Sequence, residues 1–126
     1  MGRNFRFLSL FLFISFLSSA QQTAVFTNEL AEFNRAFELY NNNQYLAAQS
    51  MFAEIEVSSK DESVKSDCAY YIANSAVRLN QQNADQLMEA FVEKYPTSIK
   101  RNSAYIDVAN YYFENGNLKE IIKTIE

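Results

Sequence analysis

Asn74 and Asn110 stand 36 residues apart, each four residues after a bulky side chain (Tyr70, Ile106) and three before another (Val77, Phe113). A carboxamide both donates and accepts hydrogen bonds, so an amide between apolar groups at helical spacing suits a peptide backbone, while the flanking groups grip its side chains. The corresponding positions earlier in the chain are Phe33, Phe37 and Tyr40. These nine residues, Phe33, Phe37, Tyr40, Tyr70, Asn74, Val77, Ile106, Asn110 and Phe113, form the candidate protein-binding groove; the alternative is that the aromatics pack against adjacent repeats and the asparagines are solvated. The expected ligand is an extended or helical protein segment, held by apolar anchors with little dependence on salt.

Reaction chemistry finds fewer parts. The chain has no histidine to serve as a base and no glycine-rich phosphate loop, and Ser50, Ser58 and Ser59 lie outside any nucleophile motif. Its carboxylates fall on helix exteriors or in first turns, where solvation and capping account for them. With one cysteine and no histidine, a transition-metal site would need carboxylates alone. No catalytic residue, metal ligand or cofactor is therefore assigned, and the chain is read as non-enzymatic. Cys68 cannot form an intrachain disulfide and falls beside Tyr71 and Ile72 on an apolar helix side, so it is read as a core thiol.

The groove residues must be carried by helices. Of 126 residues 48% are hydrophobic, with one proline and two glycines, a composition that favours an all-α fold. With Arg3 and Arg6 set aside, nine basic side chains face fifteen acidic ones. No basic stripe is available to neutralise phosphates, which excludes nucleic acid as a partner.

Residues 1–20 read as a signal peptide: Arg3 and Arg6 precede the apolar run from Phe7 to Leu17, and Ser18-Ser19-Ala20 forms a small-residue cleavage box. Membrane contact is expected only through this segment before cleavage, since its apolar run of eleven residues is shorter than the roughly 20 of a spanning helix. The alternative is an uncleaved leader that tethers a structural protein. Residues 21–28 are a flexible lead, and the folded region is 29–126.

Six helices are predicted there. Thr27 or Asn28 caps the first, which carries Leu30, Phe33, Ala36, Phe37 and Tyr40 and closes at Asn42 or Asn43, because asparagine tolerates the left-handed conformation. The second runs from about Gln44 to Val57. Ser59-Lys60-Asp61-Glu62 reads as a capping box opening the third, which continues to about Leu79. Asn83 caps the fourth, with Leu87, Met88, Phe91, Val92 and Tyr95 buried, and Pro96 stops it. Thr97 or Ser98 opens the fifth, with Ala104, Tyr105, Val108, Ala109, Tyr112 and Phe113 apolar, and Gly116 closes it. A sixth begins at Asn117 with Leu118, Ile121, Ile122 and Ile125, and the chain reads as the N-terminal fragment of a longer protein.

These helices recur as hairpins. Ala36, Ala73 and Ala109 align at periods of 37 and 36, and the second helices align as Tyr45, Ala48, Phe52, then Ala84, Leu87, Phe91, then Leu118, Ile121, Ile125. Ala48-x3-Phe52, Ala109-x2-Tyr112 followed by Gly116, and Pro96 at the end of the second unit resemble the tetratricopeptide repeat family. Tyr95-Pro96-Thr97-Ser98 after Phe91-Val92-Glu93-Lys94 is similar to the repeats of outer-membrane assembly and cell-envelope coordinator proteins. The family's first-helix tryptophan and glycine are missing, and the periods exceed its usual length of about 34. The resemblance implies an α-solenoid of about three repeats, 29–60, 61–97 and an incomplete 98–126, with first helices lining a concave groove. It implies a protein-interaction scaffold exported to the periplasm or outer membrane of a Gram-negative bacterium, binding a peptide or partner protein. The family's clamp for a C-terminal carboxylate needs lysine, asparagine and arginine along the groove, where this chain offers Phe33 and Phe37. The alternatives are an irregular helical bundle, or the N-terminal repeat region of a larger enzyme.

Overall fold

The computed structural model describes residues 28–116 and Lys119. The leader, the lead up to residue 27 and the expected sixth helix, save for Lys119, lie outside them. The chain divides into two compact units, Met1–Ala31 and Glu32–Glu126. The described part of the first, 28–31, is helical. In the second, α1 covers 32–41, followed by α2 (Tyr45–Ser58), α3 (Glu62–Arg78), α4 (Ala84–Lys94) and α5 (Arg101–Glu114). The described residues contain no strand.

The turns explain why the helices end where they do. Asn43, Asn80 and Gly116 have φ of 60°, 52° and 70°, the left-handed conformation that asparagine and glycine adopt most readily. At α1 the Gln44 amide donates to the Leu39 carbonyl (2.9 Å) and the Asn43 amide to Tyr40 (3.0 Å). The same pair closes α3, from Gln81 to Ala76 and from Asn80 to Val77, each 3.0 Å. At α5 the Gly116 amide donates to Phe113 (3.0 Å). These bonds satisfy carbonyls that a helix end leaves without partners. The expected stop at Asn42 or Asn43 is thus found, and it recurs after 37 and 36 residues.

Two expected starts move. Asp61, not Ser59, caps α3, its carboxylate accepting from the Ser63 amide at 2.8 Å and the Val64 amide at 3.4 Å. Ser59 accepts the Asp61 amide instead (3.0 Å), and Glu62 pairs with Lys65 (2.8 Å) rather than reaching back. A carboxylate one residue before the helix reaches two orphan amides, which a serine two residues further out cannot. At α5, Tyr95-Pro96-Thr97-Ser98 forms a turn with the Ser98 amide on the Tyr95 carbonyl (3.0 Å), delaying the helix to Arg101. Tyr105 and Phe113, expected on its apolar side, are exposed.

The helices enclose two cores with α3 between them. In one, Ala36 of α1, Ala48, Phe52 and Ile55 of α2 and Cys68 of α3 are buried together, which places Cys68 in the core as its position predicts. In the other, Tyr70, Ala73, Ala76 and Val77 of α3 meet Ala84, Met88, Phe91 and Val92 of α4, Tyr95, and Ala104, Val108 and Tyr112 of α5. Apolar residues at three- and four-residue spacing supply these faces. Ala36, Ala48 and Ala73 are fully buried where the helices pack.

Two substitutions test this packing by denaturant unfolding. Ala48→Leu is expected to cost about 1–3 kcal/mol by overpacking the first core, and a neutral result would mean that the α1–α2 crossing is not tight. Asn80→Ala should lose about 1 kcal/mol at the left-handed position while Asn80→Gly retains stability; equal loss in both would tie Asn80 to its side chain rather than to its φ.

Candidate functional site

The groove residues do not share one environment. Phe33, Phe37 and Tyr40 of α1 are half-buried, and all three rings meet Tyr71 of α3 edge-on, with centroids at 6.3, 5.3 and 5.1 Å. Tyr70, Asn74 and Val77 are buried, placing them inside the helix packing rather than on an open surface. Ile106, Asn110 and Phe113 of α5 are exposed, Ile106 by 60% and Phe113 by 68%.

Three of the nine nonetheless meet in one chain of hydrogen bonds. The Tyr40 hydroxyl donates to the Asn74 side-chain oxygen Oδ1 (2.9 Å), and the Asn74 side-chain Nδ2 donates to the Tyr70 hydroxyl (3.2 Å). Tyr70 in turn donates to the Asp107 carboxylate. This chain joins α1, α3 and α5, and it uses both the donor and the acceptor ends of the Asn74 amide, the property that marked this residue in the sequence. Asp107 was not among the expected site residues. It lies beside the buried positions Ala104 and Val108, and its signal in the sequence is a carboxylate at the edge of an apolar helix face.

Charge supports the same junction. Lys100 stands over the rings of Tyr70 (5.3 Å) and Tyr71 (5.1 Å) and 3.9 Å from Asp67. Burial pushes the Asp67 carboxyl up, and the Lys100 ammonium pulls it part of the way back. Arg78 lies over the Tyr111 ring (5.0 Å), whose hydroxyl donates to the Arg78 carbonyl (3.2 Å). On the α2 side, Gln49 and Gln81 exchange amide hydrogen bonds of 3.0 and 2.8 Å. Glu56 receives both Lys94 (2.9 Å) and the Tyr95 hydroxyl (3.3 Å), and the bond to Glu56 lifts the Lys94 ammonium above its ordinary range.

A cleft of about 510 Å³ opens between the first half of α3 and the turn after α4, lined by Glu62, Ser66, Asp67, Lys94, Tyr95 and Ile99 among others. Its charged groups are engaged, Glu62 with Lys65, Asp67 with Lys100 and Lys94 with Glu56. Among the described residues, no group of three or more histidine, cysteine, aspartate or glutamate side chains could hold a metal ion. None of their helices is long and apolar enough to cross a membrane.

Burial raises the phenols of Tyr40, Tyr70 and Tyr71 above the usual value of 10.0, and the bond to Asp107 raises Tyr70 further. As pH climbs, the unfolded chain therefore releases these protons before the folded one does. The stability they contribute is whole below about pH 10 and is lost above it, for Tyr70 at up to about 1.4 kcal/mol per pH unit. Tyr70→Phe should flatten the fall in unfolding free energy above about pH 10. An unchanged slope in urea titrations would remove the Tyr70 hydroxyl from the network.

Compared with protein-family models, with curated proteins and with solved structures, the chain matches none.

Proposed function

We propose that this chain is a non-catalytic scaffold of divergent tetratricopeptide type, exported to the envelope of a Gram-negative bacterium, where its first helices hold a peptide or partner protein. The observation that carries this reading is a recurring closure: α1, α3 and α5 end in the same left-handed turn at Asn43, Asn80 and Gly116. The buried alanines Ala36 and Ala73 repeat at the same step. A further feature supports it. Hydrogen bonds pass from α1 to α3 to α5 along one side, as expected of first helices stacked as neighbours.

The full chain, tagged at its C-terminus and cross-linked in its own cells, should recover a specific protein partner from the envelope fraction. Recovery no greater than with an unrelated exported helical protein would overturn the scaffold reading. The mass of the exported form should begin at Gln21, and a mass that retains Met1 would mean that the leader is kept.

A further inference from the structure

The closure of α5 differs from its two counterparts in one chemical respect. Gly116 holds the left-handed place that Asn43 and Asn80 hold after α1 and α3, so Asn115 stands where Asn42 and Leu79 stand. Of the chain's two glycines, Gly2 follows a methionine and Gly116 follows an asparagine. An asparagine before glycine carries a modification chemistry of its own, because no Cβ hinders the approach of the glycine nitrogen to the preceding carboxamide. The folded turn holds the two groups apart. Asn115 has φ −89° and ψ 6°, which turns the Gly116 nitrogen toward Asn115's own backbone nitrogen and away from its Cβ. The Gly116 amide donates to the Phe113 carbonyl (3.0 Å), and Asn115 Nδ2 donates to the Tyr111 carbonyl (2.7 Å).

We infer that Asn115 is a modification site, deamidated through the Gly116 nitrogen when the last turn of α5 opens and protected while that turn is closed. In the open turn the Gly116 nitrogen attacks Asn115 Cγ. The N–Cγ bond forms, the Cγ–Nδ2 bond breaks, and ammonia leaves with the proton that Gly116 carried. Water then adds to either carbonyl of the cyclic imide, giving aspartate or isoaspartate. Water is the one co-reactant, and base speeds the attack by removing the amide proton. Neither product restores the original closure. Each places a carboxylate at the C-terminal end of α5 beside Glu114, where the helix dipole disfavours negative charge, and each lacks the Nδ2 donor to Tyr111. Isoaspartate also inserts a methylene carbon into the backbone, which displaces Gly116 from Phe113. Tyr111 joins this end of α5 to α3, its hydroxyl on the Arg78 carbonyl (3.2 Å) and its ring under the Arg78 guanidinium (5.0 Å). Deamidation therefore loosens α5 from α3 irreversibly, and the inference does not depend on the scaffold reading.

The full chain is incubated in mildly alkaline buffer, with and without urea, and conversion at each asparagine is followed by peptide mass mapping. Asn115 should convert in urea, and about tenfold or more slowly in buffer, by a factor set by how rarely the turn opens. Asn42 is the internal control, since it holds the same place after α1 but is followed by Asn43, whose Cβ hinders the attack. It should keep its amide in both samples. Tyr111→Ala removes the tie to Arg78 and should speed conversion at Asn115 in buffer while leaving the rate in urea unchanged. Asn115→Asp should lower the melting temperature. No conversion in urea, or conversion of Asn42 at the pace of Asn115, would overturn the site. Equal rates in buffer and urea, or a rate in buffer that Tyr111→Ala does not move, would overturn its control by the closing turn. So would the absence of conversion in buffer from both proteins. An unchanged melting temperature in Asn115→Asp would overturn the consequence for α5.

Discussion

Tyr71 has to serve both sides of α3. Its ring stacks on Phe52 at 5.0 Å and 15°, and meets Phe33, Phe37, Tyr40 and Tyr70 edge-on. Lys100 stands 5.1 Å above it. Each favourable ring pair adds about 0.5–1.5 kcal/mol beyond burial, and these pairs converge on one side chain between the two cores. Adjacent helical residues point about 100° apart, so Tyr70 and Tyr71 can each face a different core. That geometry requires α3 to be apolar around much of its circumference, which Ile72, Ala73, Ala76 and Val77 supply.

Placing α3 between two cores creates a polar problem, and the hydrogen-bond chain answers it. Asn74 is buried, and a buried amide left without partners costs about 1–3 kcal/mol. Tyr40 and Tyr70 meet its acceptor and its donor, and Asp107 accepts the Tyr70 hydroxyl. Each bond constrains a neighbour, so α1, α3 and α5 hold one register relative to one another. A rotation of α5 by one residue would move the Asp107 carboxylate off Tyr70 and bring an apolar side chain onto a buried phenol. The network therefore specifies arrangement as much as it stabilises, and its cost is concentrated in the few residues that must be satisfied together.

The outer ties are of a different kind. Glu62–Lys65 and Glu56–Lys94 involve solvent-exposed partners, and such pairs contribute about 0–1 kcal/mol. Lys100 gains more from its two ring faces, because they are fixed in place by the core beneath. The helices are thus bound from within, and surface charge adds little. On α5 the apolar groups outside that interior are Tyr105, Ile106 and Phe113, where the packing logic of the preceding helices is repeated without a covering element among the described residues.

Local chemistry made much of the fold legible in the sequence. The five described helices follow from apolar spacing, from asparagine and glycine at left-handed closures, and from Pro96 after α4, all of which act over a few residues. Ala36, Ala48, Ala73 and Cys68 were recognisable as interior because a small or thiol side chain recurs on an apolar face. Tertiary structure decided the rest. Asp61 displaced Ser59 as the cap because reach to two amides depends on backbone path. The nine stripe residues looked alike by spacing, but spacing fixes only the angle around a helix and says nothing of what stands opposite. Only packing could place Val77 in the core, join Tyr40, Asn74 and Tyr70 to Asp107, and leave Ile106, Asn110 and Phe113 facing solvent. The Tyr40–Asn74 and Tyr70–Asp107 bonds join residues 34 and 37 positions apart in the chain, pairings that no local pattern encodes.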